Sequence, residues 1–201
     1  MKIVILDGSH NKCGHTIDLV NSFTEGITFV RKANIVSYDL VNEKIEFCKG
    51  CENCSTKNEK LKYSCIINDS CKKIQKDAFD ADIVVFASPI YTYSVTSAMK
   101  RFLERCVSLA TFSFGPAPKA KVVNGKRGVI ICPSGAPFPF NHLMGFTRNP
   151  KQLLNFGCKL FGCSDIHIIY AGGLSRKKTK EKYQKKAFEL GQKIAKKTGP
   201  N

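Results

Sequence analysis

Between Ile83 and Ala87 the chain passes through an unbroken apolar run, I-V-V-F-A, and then meets Ser88-Pro89. A short β-branched run of this kind suits a strand covered on both faces, as in the interior of a parallel sheet. Proline ends it, because it has no N–H for the ladder and turns the preceding residue away from helix. Tyr91 and Tyr93 follow, and Ser94 or Thr96 is placed to cap a helix carrying Met99, Phe102 and Leu103. A buried strand, an aromatic loop and a helix form the carboxyl edge of an open α/β sheet, where ligands usually sit. Taken alone, the two tyrosines read equally well as core aromatics.

The rest of the chain repeats the alternation. Lys2 to Leu6 reads as a first strand, Asp7 to Thr16 as a polar loop, and Ile17, Val20, Phe23 and Ile27 recur at helical spacing. Asn34 to Leu40 is a second strand, and a helix over Ser70 to Phe79 leads into the third strand, within Asp80 to Ala87. Lys126 to Cys132 is the fourth strand and Asp165 to Tyr170 the fifth, with a helix over Pro150 to Phe161 between them. The pattern predicts an α/β three-layer sandwich, a five-stranded parallel sheet with helices on both faces. With 201 residues and no linker, one domain spanning 1–201 is expected, bearing a cysteine-rich insertion at about 45–71. Thr111 to Gly125 and Pro133 to Asn149 are longer and more aromatic than connections require. They are expected to cover a ligand or to join subunits of a homodimer or homotetramer.

Net charge is +16, from 32 Lys and Arg against 16 Asp and Glu. Such an excess attracts nucleic acid, acidic proteins or phosphorylated ligands. Many of these charges lie between Arg176 and Lys197, where Tyr183, Ala187, Leu190 and Ile194 form an apolar helical stripe. The lysines therefore belong to the solvated face of a docked helix, and without a recognition signature no nucleic-acid partner is expected. Met1 to Leu6 is too short for a signal peptide or span, and no other apolar run approaches the length of a span, so no membrane association is expected. Ten cysteines without a secretory signal point to reduced thiols or metal ligands in the cytoplasm. Cys106 and Cys132 sit among apolar neighbours and read as core.

Two stretches carry chemistry. At Asp7–Thr16 a strand, a loop with Gly8 and Gly14 and a helix start coincide, so free N–H groups and the helix dipole suit a phosphate, with Ser9 and Thr16 as hydroxyl donors. The spacing matches neither a Walker loop nor the dinucleotide fingerprint, and a merely tight turn is the plainer alternative. At Cys48, Cys51 and Cys54 three thiols recur every third residue, which lets one loop wrap three corners of a cubane cluster. Structural zinc, redox-active thiols and unliganded thiols are the alternatives, and Cys71 is a reserve ligand.

S-H-N-K-C-G-H-T at Ser9–Thr16, C-K-G-C-E-N-C at Cys48–Cys54, A-D-I-V-V-F-A-S-P-I-Y at Ala81–Tyr91 and M-K-R-F-L-E-R at Met99–Arg105 belong together. With these motifs the chain resembles the flavodoxin-like NAD(P)H-dependent FMN reductase family, particularly its iron–sulfur flavoprotein branch. The resemblance implies strand order 2-1-3-4-5. It implies that Ser9, Asn11, Gly14, His15 and Thr16 surround the FMN phosphate. Pro89, Ile90, Tyr91 and Tyr93 would border the ribityl chain and ring, with Ser134, Gly135 and Ala136 closing the far side. The flavin would take a hydride from NADH or NADPH, so no side chain is assigned a catalytic role. Cys48, Cys51 and Cys54, with Cys65 as the fourth ligand by the family's order, would hold a [4Fe–4S] cluster. The lysines would then dock an acidic ferredoxin-like partner. A single-electron flavodoxin-type carrier and a basic anion- or nucleic-acid-binding module without flavin are the competing functions.

Overall fold

In the computed structural model, which describes residues 1–54, 65–111, 119–120 and 125–197, the run Ile83–Ala87 forms strand β3, buried along its whole length. It pairs in parallel with β1 (Lys2–Asp7) on one side and β4 (Lys126–Ser134) on the other. Beyond these lie β2 (Asn34–Asp39) and β5 (Cys163–Gly172), so the parallel sheet reads β2-β1-β3-β4-β5. This is the flavodoxin-like order, with helices on both faces.

Alternation along each strand sends side chains to opposite faces and builds two cores. One collects Ile3, Ile5, Ile83, Val85, Val129 and Ile131 under α1 (His15–Val30) and the terminal helix α6 (Lys177–Lys197). The other collects Val4, Leu6, Val84, Phe86 and Ile130. It lies under α2 (Ser70–Phe79), α3 (Ser97–Arg105) and α5 (Arg148–Leu160). A short α4 (Phe140–Leu143) lies in the segment after β4. Helices α1 and α6 meet backbone to backbone. A methyl group on Gly26 would strike the Phe188 carbonyl oxygen, and one on Gly191 would strike that of Phe23.

Several boundaries differ from the sequence expectation. Strand β3 itself keeps to the expected run Ile83–Ala87, since the Asp80 N–H closes α2 on the Lys76 carbonyl (2.9 Å). Strand β5 starts at Cys163 and runs on to Gly172, longer than its apolar core suggests. Thr96, not Ser94, caps α3; its hydroxyl accepts the Met99 N–H (3.3 Å). Within the segment read as a loop from Thr111 to Gly125, a small antiparallel ribbon pairs Ala110–Thr111 with Lys119–Ala120. Most of that segment, and residues 55–64 of the cysteine-rich insertion, lie outside the described residues. Among the described residues no helix is long and apolar enough to cross a membrane.

Candidate functional site

The sheet's own ladder extends past the strands and sets the site. Gly8 N–H donates to the Ala87 carbonyl (2.8 Å), Ser88 N–H to Ile131 (3.1 Å) and Ile90 N–H to Pro133 (2.9 Å). Loops after β1, β3 and β4 therefore leave the sheet in fixed mutual register. Buried Thr96 locks two of them. Its hydroxyl donates to the Gly8 carbonyl (2.7 Å), and its N–H donates to Ser88 Oγ (3.1 Å). Gly8 is obligatory here, since a Cβ would lie 2.9 Å from both Met99 Cβ and Thr96 Oγ1.

Between these loops opens a cleft of about 370 Å³. Ser9, Asn11, Gly14, His15 and Thr16 line it from the first loop, Pro89, Ile90 and Tyr91 from the second, and Ser134 and Gly135 from the third. Two of the residues implied by the resemblance are placed elsewhere. Tyr93 packs its ring on Phe146, with centroids 4.5 Å apart, and is not a lining residue. Around it Tyr91 and Ser94 exchange two hydrogen bonds of 2.9 Å across Thr92 (φ 47°) and Tyr93 (φ 62°). Ala136 is likewise absent from the lining; its carbonyl accepts the Ser134 hydroxyl (3.1 Å) in a local turn. Cys13, Pro133, Leu174 and Ser175 also line the cleft and were missed. The signal for the last two was available: Gly172-Gly173-Leu174-Ser175 is a small-residue exit directly after a strand, like Gly8-Ser9 after the first.

The first loop is held by its own hydrogen bonds. Ser9 N–H donates to Asp7 Oδ1 (2.8 Å), Ser9 Oγ to the Asn11 carbonyl (3.1 Å) and Cys13 N–H to Asn11 Oδ1 (3.0 Å). Gly14 stands at the N-cap of α1 with no side-chain cap, so the first-turn N–H groups face the cleft end of the helix. The first-turn N–H groups, the Thr16 hydroxyl and the positive end of a long helix suit a phosphate, with the Ser9 hydroxyl able to join once it leaves the Asn11 carbonyl. Tyr91, stacked with His10 at 6.4 Å, supplies a flat aromatic wall nearby. This donor set and this wall fit a flavin mononucleotide.

The cysteine-rich insertion is built differently. Its two ends meet on one buried ion pair, Arg105 with Asp69, at 2.6 and 3.2 Å. Arg105 Nη1 also donates to the Glu46 carbonyl (2.8 Å), and Glu46 N–H donates to Asp69 Oδ2 (2.8 Å). Burial alone would raise the Asp69 pKa, yet the Arg105 hydrogen bond and the N–H donors hold it below the ordinary value of 3.8. Above this base Cys48 and Cys51 are exposed, and Cys54 and Cys65 are half-buried. Burial pushes the Cys54 thiol up, and the neighbouring thiols of Cys65, Cys48 and Cys51 add to that rise. These four sulfurs therefore share one neighbourhood, although among the described residues no three His, Cys, Asp or Glu side chains are set to hold a metal. Cys71, the reserve ligand, is buried in α2, where it accepts from Gln75 Nε2 (3.4 Å) and burial pushes its thiol up to about 12. Cys106 and Cys132 are core residues, as their neighbours foretold.

Comparison with known proteins follows the same lines. The flavodoxin-like fold family matches residues 1–194. An iron-sulfur flavoprotein of Archaeoglobus fulgidus is 28% identical over 97% of this chain and 79% of its own length. An FMN-dependent NADH:quinone oxidoreductase of Gluconacetobacter diazotrophicus is 26% identical over 51% of this chain and 52% of its own. Among solved structures, an FMN-dependent NADH-azoreductase of Bacillus anthracis in complex with FMN superposes with TM-score 0.76. It shares 13% identity and covers 96% of this chain and 99% of its own. An NAD(P)H:quinone oxidoreductase of Methanothermobacter marburgensis gives TM-score 0.76 at 14% identity, covering 96% of each. At such identities the structural likeness speaks for the fold.

Proposed function

Because the chain belongs to the flavodoxin-like fold family, we propose that it is an FMN-dependent oxidoreductase carrying electrons from NADH or NADPH to a quinone- or azo-type acceptor. The observation that supports this most is the gathering of three strand ends around one cleft that opens at the N-terminus of α1. In this reading Ser9, Asn11, Gly14, His15 and Thr16 hold the phosphate, with Gly14 keeping the backbone open to it. Pro89, Ile90 and Tyr91 border the ring on one side, and Ser134, Gly135, Leu174 and Ser175 on the other. Bound FMN supplies the redox chemistry. The chain binds and orients the cofactor and excludes water from it, so no protein acid or base is assigned. FMN uptake by the flavin-free protein, followed by NADH-dependent quinone reduction, tests the reading. A protein that takes up no FMN would sink it, and would favour the anion-binding alternative.

The finer parts concern the insertion and the partners. We read residues 1–201 as a single domain; on it Cys48, Cys51, Cys54 and Cys65 share one neighbourhood, and a relative matching 97% of the chain is named an iron-sulfur flavoprotein. That supports a [4Fe–4S] cluster there, relaying electrons between flavin and an acidic ferredoxin-like protein docked on the lysines of α6. Anaerobic purification with iron, sulfide and zinc analysis decides it; zinc without sulfide means a structural site, and neither means free thiols. Charge reversal between Arg176 and Lys186 should abolish the salt sensitivity of electron transfer to such a partner; an unchanged salt dependence removes it. Phe138, Phe140, Leu143 and Met144 stand exposed in the segment after β4. They favour a homodimer or homotetramer, which sedimentation as a monomer would exclude. Reduced thiols fit a cytoplasmic setting.

A further inference from the structure

Lys12 is the only lysine or arginine between Gly8 and Thr16, yet it is not among the residues lining the cleft. Its ammonium lies 2.7 Å from Asp7 Oδ2 and 2.7 Å from Asp39 Oδ1, at the carboxyl ends of β1 and β2. Asp7 is buried, with a side chain 6% exposed, and its other oxygen holds the Ser9 N–H. Asp39 also accepts from Val41 N–H (3.1 Å) and Asn42 Nδ2 (2.7 Å), so it is fixed in turn. Burial alone would lower the Lys12 pKa, but hydrogen bonds to Asp39 and Asp7 raise it above its ordinary value, and it stays charged. Without this cation two carboxylates would stand beneath the anion-binding loop, one of them buried and without its ion pair.

We infer that Lys12 is a positioning residue for the cofactor phosphate. It ties the Ser9–Gly14 loop down to the ends of two strands and offsets one of the two negative charges of Asp7 and Asp39. The phosphate is then received by neutral N–H and hydroxyl donors that are already in place. This rests on the reading that the cleft takes FMN. The opposing idea, a lysine that swings out to ligate the phosphate directly, makes a different prediction about Asp39.

FMN and riboflavin share the ring and ribityl chain and differ only in the phosphate, so their affinities isolate the loop. Dissociation constants for both, from flavin fluorescence quenching, should be measured on flavin-free wild type, Lys12→Met, Lys12→Arg, Asp39→Asn and the Lys12→Met/Asp39→Asn double variant. The expected wild type prefers FMN. Lys12→Met should lose roughly fivefold in FMN affinity, allowing for the partial exposure of the pair. It should lose less than about twofold in riboflavin affinity, which also reports that the cleft is folded. Lys12→Arg should restore most of the loss. With Asp39 already neutral, the Lys12→Met loss should shrink to about twofold, because half of the charge it balances is gone. An undiminished loss in that background would make Lys12 a direct phosphate ligand and overturn the inference. An unchanged FMN preference in Lys12→Met would overturn it as well. A wild type that binds both flavins equally, or neither, would instead overturn the phosphate reading on which the inference stands.

Discussion

The phosphate-type loop and the cysteine-rich insertion both follow strands that end side by side, β1 and β2, yet they are ordered on different principles. The first is tied along its length: at Gly8 by Thr96, at Ser9 by Asp7, at Cys13 and Gly14 by Asn11. Among the described residues, the second is tied where it leaves and rejoins the fold, through Arg105, Asp69 and Glu46. An anion site made of backbone N–H groups must be in place before the ligand arrives, since stray donors would cost more than the ligand returns. A thiol site can be completed by its metal, because metal–thiolate bonds are strong enough to organise a loop. The contrast is between a loop held from within and an insertion held by the Arg105–Asp69 pair at its base.

The strongest way to break that contrast is at the insertion's base. Arg105→Met leaves the Asp69 carboxylate buried and without its cation, which should cost about 3 kcal/mol and lower the melting temperature by about 9 °C. FMN affinity should change less than about twofold; a matching loss of FMN binding would mean that the two regions are one unit. The same variant has a pH signature. Because the folded Asp69 pKa lies below 3.8, its stabilisation is complete above that value and is lost as pH falls through the folded pKa. Wild type should therefore lose stability below about pH 4, and Arg105→Met should show a shallower acid slope in urea titrations.

Thr96→Val strikes the other region, deleting the hydroxyl bond to Gly8 and the cap on Met99. A loss of about 1.5 kcal/mol is expected in denaturant unfolding, with FMN bound severalfold more weakly. Unaltered FMN affinity would show that the first loop does not depend on this lock. A smaller effect of opposite sign is expected at the turn beside the cleft. Thr92→Gly relieves a β-branched residue at φ 47° and should stabilise the protein by about 1 kcal/mol, seen as a rise of about 3 °C. A decrease would show that the threonine side chain makes up for its backbone. Least of all, Cys48→Ser in metal-free protein should shift stability by less than about 0.5 kcal/mol while removing bound iron from anaerobic preparations. A large shift without metal would show an insertion ordered along its length, like the first loop.

The sheet was readable because Ile83–Ala87 admits few environments, and the neighbouring strands alternate with helices. The first loop was readable because glycine, small polar residues and a helix start coincide there. Tyr93 and Ala136 fall outside the cleft lining; nothing in S-P-I-Y-T-Y announces the turn with two residues at positive φ around Tyr93, nor does P-S-G-A announce the Ser134–Ala136 hydrogen bond. Leu174 and Ser175 escaped because β5 runs past its apolar core to Gly172. The cysteine spacing announced a shared thiol neighbourhood, but not the Arg105–Asp69 pair beneath it, which joins positions 36 residues apart. Long-range pairing of that kind leaves no local pattern.

The seam at Gly26 and Gly191 has a consequence for biosynthesis. The helix whose N-terminus opens the cleft packs without side chains between it and a helix near the far end of the chain. On the ribosome, α1 can reach that arrangement only once residue 191 has emerged. Partial products that lack α6 should emerge with their cofactor loop unsupported, and loading of the flavin should come after α6 has been translated.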